Sequence, residues 1–283
     1  MARIAFLGTG LLGAAFAHAA VTRGDDVSAW NRSQGKSTAL AQFGVKPFAT
    51  AQQAVEGASR VHLVLKDDAA VEEVIAAAVQ GLAKDAILID HSTTLPALTQ
   101  QRAERFAKEG INYLHAPVFM GPAAALKALG SMMVSGPSTL FERVQSELAK
   151  MTKRVDYLGE RADLAAVHKL FGNAMIIGLS ALLADVFALA QATNVSNEDA
   201  VKLMGMLDLN AMVAGRGASM ARGNFTPSFE LSMARKDVGL MIQTAGARPL
   251  AALPAIAARM DQLIGAGHGD KDAGVLAINA IAR

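Results

Sequence analysis

The amino-acid sequence predicts an α/β domain with a parallel sheet, followed by an all-helical domain. Up to about residue 160, short apolar strand patterns alternate with amphipathic or alanine-rich helical patterns. This alternation is typical of a parallel sheet that is covered by helices on both faces. Beyond that point only helical patterns follow. We therefore predict one domain over residues 1–160 and a second domain over residues 161–283.

Apolar periodicity and turn residues define the individual elements. Strand patterns cover residues 3–8, 26–31, 60–65, 86–90, 112–118 and 131–136, with helical patterns between them over 11–23, 68–78 and 95–109. In the second half, one long helix is predicted over about 162–194, and shorter helices over about 196–206, 229–246 and 254–265. Because the long helix is apolar over most of its circumference, we expect it to be buried between other elements. A subunit interface is the alternative for its apolar surface.

Composition narrows the class of protein. The 283 residues are 52% hydrophobic and carry a net charge of +2 without long runs of one sign, so nothing favours binding to nucleic acid or to an anionic membrane. The lack of cysteine excludes disulfides, thiolate metal ligands and a cysteine nucleophile, and it suits a reducing compartment. The six histidines show no metal-ligand spacing, so no metal is predicted. With no signal-peptide pattern and no uninterrupted apolar stretch of ~20 residues, we expect a cytoplasmic protein without a membrane span.

The first turn of the chain carries the sequence GTGLLG, residues 8–13, directly after a predicted strand and at the start of a predicted helix. In this context Gly8 permits a tight turn, Gly10 lets a pyrophosphate approach the backbone, and Gly13 lets the helix pack closely on the strand. Leu11 and Leu12 lie at the helix N-terminus, where free N–H groups favour phosphate. The motif predicts a dinucleotide-binding domain of the Rossmann type.

The tip of the second strand indicates which dinucleotide is bound. An NAD site usually has Asp or Glu there, but here the tip reads Asn31-Arg32-Ser33, and the nearby acids precede the strand. An arginine and a hydroxyl group suit the 2′-phosphate of NADP(H). The alternative is that Arg32 is only solvated. We predict NADP(H) as the cofactor.

Further motifs extend this interpretation to the whole chain. In order, the glycine turn is followed by NRS (31–33), DHSTT (90–94), HAPV (115–118), HKLFGN (168–173) and RKDVGL (235–240). With these motifs the chain resembles the β-hydroxyacid dehydrogenase family, which includes 3-hydroxyisobutyrate dehydrogenases and glyoxylate/succinic semialdehyde reductases, with 6-phosphogluconate dehydrogenase as a relative. The resemblance implies a Rossmann domain, a long interdomain helix, an all-helical domain and an active site in the cleft between the domains.

Lys169 is the predicted catalytic residue. It lies in the mostly apolar long helix, and Asn173 follows one turn later on the same face. Burial lowers the pKa of a lysine and makes it a usable proton donor near neutral pH. In the family, the matching lysine protonates the substrate carbonyl oxygen and the matching asparagine positions the substrate. The alternative is a lysine at the helix edge whose ammonium group reaches water.

Other site residues are implied by the resemblance. Leu65 and Lys66 match the turn that runs past the cofactor, and Thr93 matches the residue beside the nicotinamide or the substrate. Lys236 matches a lysine that reaches the cofactor from the helical domain. A surface ion pair with Asp237 is the alternative for Lys236.

One loop departs from the family pattern. The family usually reads A-P-V-S-G-G at this point and grips a substrate carboxylate with the Ser-Gly-Gly stretch, whereas this chain has Phe119, Met120 and Gly121. A ring and a thioether favour an apolar contact surface over an anion clamp. We therefore expect a less polar or bulkier carbonyl substrate, or a carboxylate bound by other groups. Core packing of Phe119 and Met120 is an equally good explanation.

The sequence predicts an NADP-dependent reductase of a small aldehyde or keto acid, reversible as a hydroxyacid dehydrogenase. An imine reductase has a similar architecture, but such enzymes commonly have another residue in place of the lysine. A non-catalytic nucleotide-binding protein has no need of a buried lysine. Family members are commonly dimers or tetramers, so we expect a homodimer or homotetramer.

Overall fold

The computed structural model describes residues 3–281 and consists of two units, one up to Asn173 and one from Ala174 onward. The first unit contains a sheet and its covering helices, and the second unit is helical. The predicted α/β class with a helical C-terminal part is therefore confirmed. The strands are β1 (Arg3–Leu7), β2 (Asp26–Trp30), β3 (Lys46–Pro47), β4 (Ala58–Leu63), β5 (Ile87–Asp90), β6 (Asn112–His115), β7 (Val118–Phe119), β8 (Ser131–Ser135) and β9 (Arg154–Gly159).

Helices separate and follow these strands. In the first unit they are α1 (Leu11–Thr22), α2 (Gln34–Thr38), α3 (Ala51–Val55), α4 (Asp68–Ala78), α5 (Pro96–Glu109), α6 (Pro122–Leu126) and α7 (Ser138–Leu148). The long helix α8 (Leu164–Ala192) runs from the first unit into the second, which continues with α9 (Asn197–Lys202), α10 (Leu209–Ala221), α11 (Leu231–Ala245) and α12 (Leu253–Gly265). Short 3₁₀ helices cover Ala39–Phe43, Val79–Gly81, Leu203–Met206 and Ala273–Ala277.

The strand order is β3-β2-β1-β4-β5-β6-β8-β7, with β9 paired to β8. From β3 to β6 every neighbouring pair is parallel. Leu7 pairs with Trp30 and with Leu63, and Leu63 pairs with Asp90, so the carboxyl ends of β1, β2, β4 and β5 lie at one edge. Loops that follow these strands are therefore brought together, as is usual for ligand sites of open α/β sheets.

The prediction of a parallel sheet is wrong at one side of the sheet. Strand β8 pairs antiparallel with β6 and β7, so the sheet is mixed there. The predicted strand over 112–118 is interrupted by Pro117, whose backbone has no N–H to donate to a ladder, and β6 and β7 are separate strands. The segment between β7 and β8 is too short for the crossover that a parallel pair needs.

Side chains of β1 alternate between two apolar layers. Ile4 and Phe6 pack with Phe16 of α1 in one cluster, and Ala5 and Leu7 pack in a second cluster with side chains of α3, α4 and α5. This alternation follows from the two-residue period of a strand. Both faces of the central strands are buried, which explains why β1 is apolar throughout its buried part.

Ser135, at the end of β8, fixes the start of α8. Its Oγ donates to the Ala162 carbonyl over 2.7 Å and accepts from the Ala165 N–H over 3.1 Å, and Ser135 is completely buried. This contact satisfies one of the unpaired N–H groups at the beginning of the helix. The first turns of α8 are thereby held against the sheet of the first unit.

The expectation that the long helix is buried is wrong for the single chain. Only 11% of its most apolar stretch is buried, and by length and composition alone α8 is long and apolar enough to cross a membrane. Its sequence therefore does not by itself exclude a span. The exposed large apolar side chains of this helix are Leu170, Phe171, Met175, Ile176, Ile177, Leu179 and Leu182. Within the described residues 3–281 these side chains stay exposed.

Asp185 connects α8 to the rest of the second unit. Its carboxylate accepts hydrogen bonds from the N–H groups of Ala251, Ala252 and Leu253, at the N-terminus of α12. Burial opposes ionisation of Asp185, but these three bonds lower its pKa overall. The acid that interrupts the apolar helix is thus an N-terminal cap for another helix.

Candidate active site

A pocket of about 460 Å³ lies at the carboxyl edge of the sheet. It contains residues that follow β1, β2, β4 and β5, as the strand register requires. The predicted cofactor residues that line it are Gly8, Gly10, Leu11, Leu12, Asn31, Arg32, Ser33, Leu65, Lys66 and Thr93. The structure therefore brings together residues that are up to 85 positions apart in the sequence, counted from Gly8 to Thr93.

Each glycine of the first turn has a different environment. Gly8 has a φ of +97°, and a Cβ there would overlap the Val64 carbonyl oxygen. A Cβ at Gly13 would overlap the Gly8 carbonyl oxygen, so Gly13 is needed for close packing of α1. At Gly10 an added Cβ meets no atom of the described chain within 4 Å. Gly8 and Gly13 thus shape the turn, and Gly10 leaves open space in front of the helix.

The N-terminus of α1 fits the pyrophosphate of a dinucleotide. Gly10 is its N-cap, and within the described residues no side chain caps this end. The first N–H groups of a helix lack intrahelical partners and carry a partial positive charge. These groups face the space that Gly10 leaves open, so the residues present fit a nicotinamide dinucleotide.

Asn31 has a structural contact at this turn. Its Oδ1 accepts a hydrogen bond from the buried Thr9 N–H over 2.9 Å, and its Nδ2 donates to the Ser33 carbonyl over 3.1 Å. The side chain thereby joins the glycine turn after β1 to the tip of β2. Asn31 shapes the pocket through these two bonds.

Two basic side chains lie in the pocket wall at the tip of β2. Arg32, Ser33 and Lys36 line the pocket after β2. The Arg32 side chain is 80% exposed, and its Nη1 lies 3.9 Å from Oε2 of Glu73, an acid on α4 that also lines the pocket. An exposed pair at this distance is weak, so the guanidinium is available for a phosphate.

The loops after β4 and β5 are joined by Ser92. Its Oγ accepts from the Leu65 N–H over 3.0 Å, and its own N–H donates to Asp90 Oδ1 over 2.9 Å. Thr93 is exposed at the pocket wall, and Lys66 is exposed beside Asp67. Ser92 therefore sets the relative position of the two loops that carry the predicted cofactor residues Leu65 and Thr93.

A buried polar network supports these loops from below. Asp90 Oδ2 accepts from the Tyr113 hydroxyl over 2.9 Å, and the fully buried Arg102 donates to Asp68 Oδ1 over 2.7 Å and lies 3.7 Å from Asp90. Burial and the charge of Asp90 raise the pKa of Tyr113 well above its usual value, so its hydroxyl stays protonated and donates. Asp68 also accepts from the Leu95 N–H over 2.9 Å.

His91 connects the pocket to the segment after β6. The residue lines the pocket and is buried, its Nδ1 lies 2.6 Å from the Ala116 carbonyl oxygen, and its Nε2 lies 2.9 Å from His62 Nδ1. Because a carbonyl only accepts, Nδ1 of His91 carries the proton and Nε2 accepts from His62. Burial lowers the pKa of both rings, so both stay neutral. The backbone around Ala116 is thus anchored to the pocket wall.

Lys169 lies against this anchored segment. Its Nζ donates to the Val118 carbonyl over 2.7 Å and lies 4.1 Å from the centre of the Phe119 ring. The side chain is half buried, and burial lowers its pKa below the ordinary value of 10.5. Asn173 lies one helical turn further along α8, also half buried. A cation in this environment is suited to releasing a proton to a nearby oxygen.

The loop that departs from the family pattern packs around this lysine. Phe119 lies at the end of β7, Met120 packs against the core cluster that contains Phe6 and Phe16, and Gly121 is the N-cap of α6. Met120 therefore has a packing role. Phe119 contacts the predicted proton donor.

Lys236 lies in the second unit on α11, where its Nζ is 2.9 Å from Asp237 Oδ1. The side chain is more than half exposed. This is the ion pair that the sequence offers as the alternative explanation. The contact of Lys236 with a cofactor stays a prediction.

Several residues around the pocket are absent from the sequence prediction. The further lining residues are Trp30, Lys36, Val64, Ala70, Glu73 and Val74. His91 and Ser92, which belong to the DHSTT motif after the predicted strand over 86–90, also line the pocket. Three of the further lining residues share one face of α4, because Ala70, Glu73 and Val74 are three and four positions apart. Helical spacing in the sequence could therefore have identified this face as part of the pocket wall. Within residues 3–281, histidines and carboxylates form no group of three that suits a metal ion.

Comparisons with known proteins identify the first part of the chain as a dinucleotide-binding domain. Residues 3–159 match the family described as the NAD binding domain of 6-phosphogluconate dehydrogenase. An uncharacterized oxidoreductase of Shewanella frigidimarina is 27% identical over 253 residues, which cover 87% of this chain and 86% of that protein. The 3-sulfolactaldehyde reductase of Escherichia coli is 27% identical over 255 residues, or 87% of this chain and 84% of the reductase.

A solved structure extends the similarity over both units. The imine reductase of Streptomyces aurantiacus is 26% identical, covers 99% of this chain and 100% of its own, and superposes with a TM-score of 0.86. The resemblance to the β-hydroxyacid dehydrogenases and their relatives is confirmed by these matches. The chain therefore belongs to the family that carries the NAD-binding domain of 6-phosphogluconate dehydrogenase, and it is an oxidoreductase with a nicotinamide-dinucleotide site.

Proposed function

We propose that this oxidoreductase uses NADP(H) and interconverts a small aldehyde or keto acid with the corresponding alcohol or hydroxyacid, with Lys169 as general acid and base. The observation that carries the proposal is the half-buried Lys169 ammonium, hydrogen-bonded to Val118 O. Val118 lies two residues after Ala116, which is bonded to His91 in the pocket wall. The predicted proton donor and the dinucleotide pocket are thus connected within one unit.

The proposed chemistry assigns one task to Lys169. A bound reduced nicotinamide supplies the hydride that reduces the carbonyl carbon. The carbonyl oxygen gains negative charge as its π bond breaks, and Lys169 donates a proton to this oxygen, which gives the alcohol and a neutral amine. In the reverse direction the neutral amine accepts the hydroxyl proton. Burial lowers the pKa of Lys169, so the ammonium releases its proton more readily than that of an ordinary lysine and the neutral amine forms more readily for the reverse direction.

The choice of NADP(H) rests on the residues at the tip of β2. Arg32 and Lys36 supply positive charge and Ser33 supplies a hydroxyl group in the pocket wall, while the tip has no carboxylate for the ribose hydroxyls. An arginine forms strong charge-assisted bonds with a phosphate. The negative charge of Glu73 partly opposes the positive charge of Arg32 and limits the preference for NADP(H) over NAD(H).

The proposed substrate is less polar or bulkier than glyoxylate or succinic semialdehyde. Where the family has an anion-binding stretch, Phe119 presents a ring beside Lys169 and Met120 packs into the core. A carboxylate gains little from these groups, whereas an apolar substituent packs well against the ring. A clear preference for glyoxylate or succinic semialdehyde contradicts this part of the proposal.

Reduction of an imine is the second candidate, favoured by the similarity to an imine reductase over the whole chain. An iminium ion is already positively charged, and the nearby Lys169 ammonium repels it. A neutral carbonyl gains negative charge on oxygen during reduction, and the same ammonium stabilises that charge. The lysine therefore favours a carbonyl substrate.

We also propose that a second copy of this chain covers the exposed face of α8. The helix is anchored at Lys169 to Val118 and at Asp185 to α12, so both ends belong to folded units and the apolar side chains between them need a protein partner. Large exposed apolar patches mark such interfaces. Sedimentation equilibrium of the purified protein without detergent tests this, and a monomer contradicts it. Residence in the cytoplasm stays a prediction of the composition.

A substrate panel tests the proposed function. NADPH or NADH is mixed with hexanal, cyclohexanone, glyoxylate, succinic semialdehyde or 1-pyrroline, and the loss of nicotinamide absorbance is followed. We expect turnover with NADPH and the uncharged carbonyls. Lys169→Ala abolishes most of this turnover but keeps NADPH binding, whereas Lys108→Ala, at an exposed position of α5, changes neither. Turnover of 1-pyrroline alone supports the imine alternative.

A further inference from the structure

The ring of Phe119 lies between the Lys169 ammonium and the backbone of α8. Lys169 Nζ is 4.1 Å from the ring centre, and a Cβ built on Gly172 would overlap Cζ, Cε1 and Cε2 at the tip of the same ring. Lys169 and Gly172 are three residues apart on one helix face. The ring therefore packs directly against the helix backbone, in space that a side chain at residue 172 would fill.

Gly172 is otherwise an unfavourable choice at this position. It lies inside a helix of 29 residues, where glycine costs more conformational entropy than alanine. The backbone there is helical, so no left-handed conformation requires glycine. The contact with Phe119 supplies the physical reason for its presence.

The ring and the Val118 carbonyl together restrict the ammonium group. An ammonium has three N–H donors. The Val118 carbonyl takes one of them, and the ring face lies over another side of the group as a cation–π contact. The remaining donor is the one left for a substrate oxygen.

We propose that Phe119, packed against Gly172, is a positioning residue that holds the Lys169 ammonium in one orientation for proton transfer. The inference rests on the proposed role of Lys169 as proton donor and deepens it.

A spectroscopic experiment tests the geometry without any substrate. Protein with ¹³C-labelled lysine is examined by proton–carbon correlation, and the Lys169 ε-methylene signal is assigned by its loss in Lys169→Arg. We expect the ring current of Phe119 to shift this signal upfield in the native protein. In Phe119→Leu the signal is still present, but the upfield shift is lost. Gly172→Ala changes the shift because the ring is displaced, and the matched helical control Gly217→Ala, whose added Cβ meets no atom of the described chain within 4 Å, leaves it unchanged.

Kinetics of NADPH-dependent reduction of hexanal test the consequence for proton transfer. Gly172→Ala is expected to lower kcat roughly 10- to 100-fold, as small misplacements of a reacting group do, with the NADPH Kd unchanged. Leucine lacks the ring atoms that meet the added Cβ, so adding Gly172→Ala to Phe119→Leu lowers kcat no further. If hexanal is not reduced, the spectroscopic result decides the proposal alone.

The outcomes separate this inference from the proposed function. An unshifted Lys169 signal in the native protein overturns the positioning role of Phe119. The same holds if kcat of the double variant Phe119→Leu/Gly172→Ala falls by the product of the two single reductions. A shifted signal together with full turnover by Lys169→Ala overturns the catalytic role of Lys169 and leaves the geometry intact. A melting temperature for each variant shows that it is folded.

Discussion

Asn31 Oδ1 accepts a hydrogen bond from the Thr9 N–H over 2.9 Å, and this side-chain contact joins the glycine turn to the tip of the second strand, next to the backbone bond from the Gly8 N–H to the Trp30 carbonyl. Thr9 is a buried residue, so removal of Asn31 leaves a partly buried N–H without its acceptor. The bond thus couples the shape of the glycine turn to the strand tip at which we propose that the 2′-phosphate of NADP(H) binds.

Two substitutions at Asn31 are expected to differ in their effect on the binding of NADPH relative to NADH. Asn31→Ala leaves the Thr9 N–H unpaired, which costs about 1–3 kcal/mol and weakens NADPH and NADH alike. Asn31→Asp keeps the acceptor but adds negative charge at the strand tip, so NADPH binding falls about tenfold relative to NADH. Fluorescence titration with both cofactors measures this. Equal losses for both cofactors in Asn31→Asp contradict the proposed place of the 2′-phosphate.

Arg32 and Glu73 are expected to act in opposite directions on cofactor choice. Arg32→Ala loses a charge-assisted phosphate contact and raises the NADPH Kd about tenfold or more, with little change for NADH. Glu73→Gln removes a competing charge and tightens NADPH about two- to fivefold, as an exposed charge pair allows. Lys108→Ala is the control for loss of a surface cation. A uniform change for both cofactors in Arg32→Ala refutes the NADP(H) assignment.

Ser92 is expected to support cofactor binding through the Leu65 loop. Ser92→Ala leaves the Leu65 N–H without its 3.0 Å acceptor, at a cost of about 1–3 kcal/mol shared between stability and cofactor binding. Ser59→Ala, which removes a hydroxyl near Arg3 at the opposite edge of the sheet, is the matched control. Thermal unfolding and the NADPH Kd are measured for both. Identical cofactor affinities in the two variants show that Ser92 does not set the loop.

Buried His115 predicts a loss of stability in mild acid. Burial lowers its pKa from 6.5 to about 4, although the charge of Asp90 opposes this, and in the described part of the chain neither ring nitrogen has a hydrogen-bond partner. As pH falls the unfolded chain takes up a proton first, so this stability is present above pH 6.5 and is lost towards pH 4, by roughly 3 kcal/mol.

His115→Phe isolates this contribution, because His62 and His91 respond in the same direction and stay in place. Urea unfolding at pH 7, 5.5 and 4.5 is expected to show a smaller loss in the variant than in the native protein. Parallel losses in the two proteins rule out His115 as a source of acid sensitivity.

Local patterns were sufficient to predict the glycine turn and most strands of the dinucleotide-binding half. The strand before Gly8 and the helix after it follow from apolar periodicity and glycine spacing, and both are present as β1 and α1. Strand β9 and helix α10 went unpredicted, since β9 is half exposed without a clean alternation and α10 is rich in glycine and alanine. The antiparallel pairing of β8 with β6 and β7 was missed because β6 and β7 were predicted as one strand, which hid the short connection between β7 and β8.

The candidate site also has one part that the sequence predicts and one part that only the structure shows. Residues of contiguous motifs, such as Arg32 and Thr93, were available from the sequence and line the pocket. The Asn31–Thr9 bond and the packing of Phe119 against Gly172 join segments that are far apart in the chain, so only the folded structure shows them. The apolar pattern of α8 left two explanations open, burial within the chain and a subunit interface, because the sequence pattern of the helix is the same in both cases. The structure decides against burial within the single chain.

The pH dependence of the reduction rate tests the central claim, proton donation by Lys169, most directly. Since the ammonium is the active form, kcat for NADPH-dependent reduction should fall as pH rises through the pKa of Lys169, which burial places below 10.5, and the rate of the reverse oxidation should fall as pH drops through it. Lys169→Ala is expected to be slow at every pH and to lack this break. A native profile whose break persists unchanged in Lys169→Ala contradicts the account.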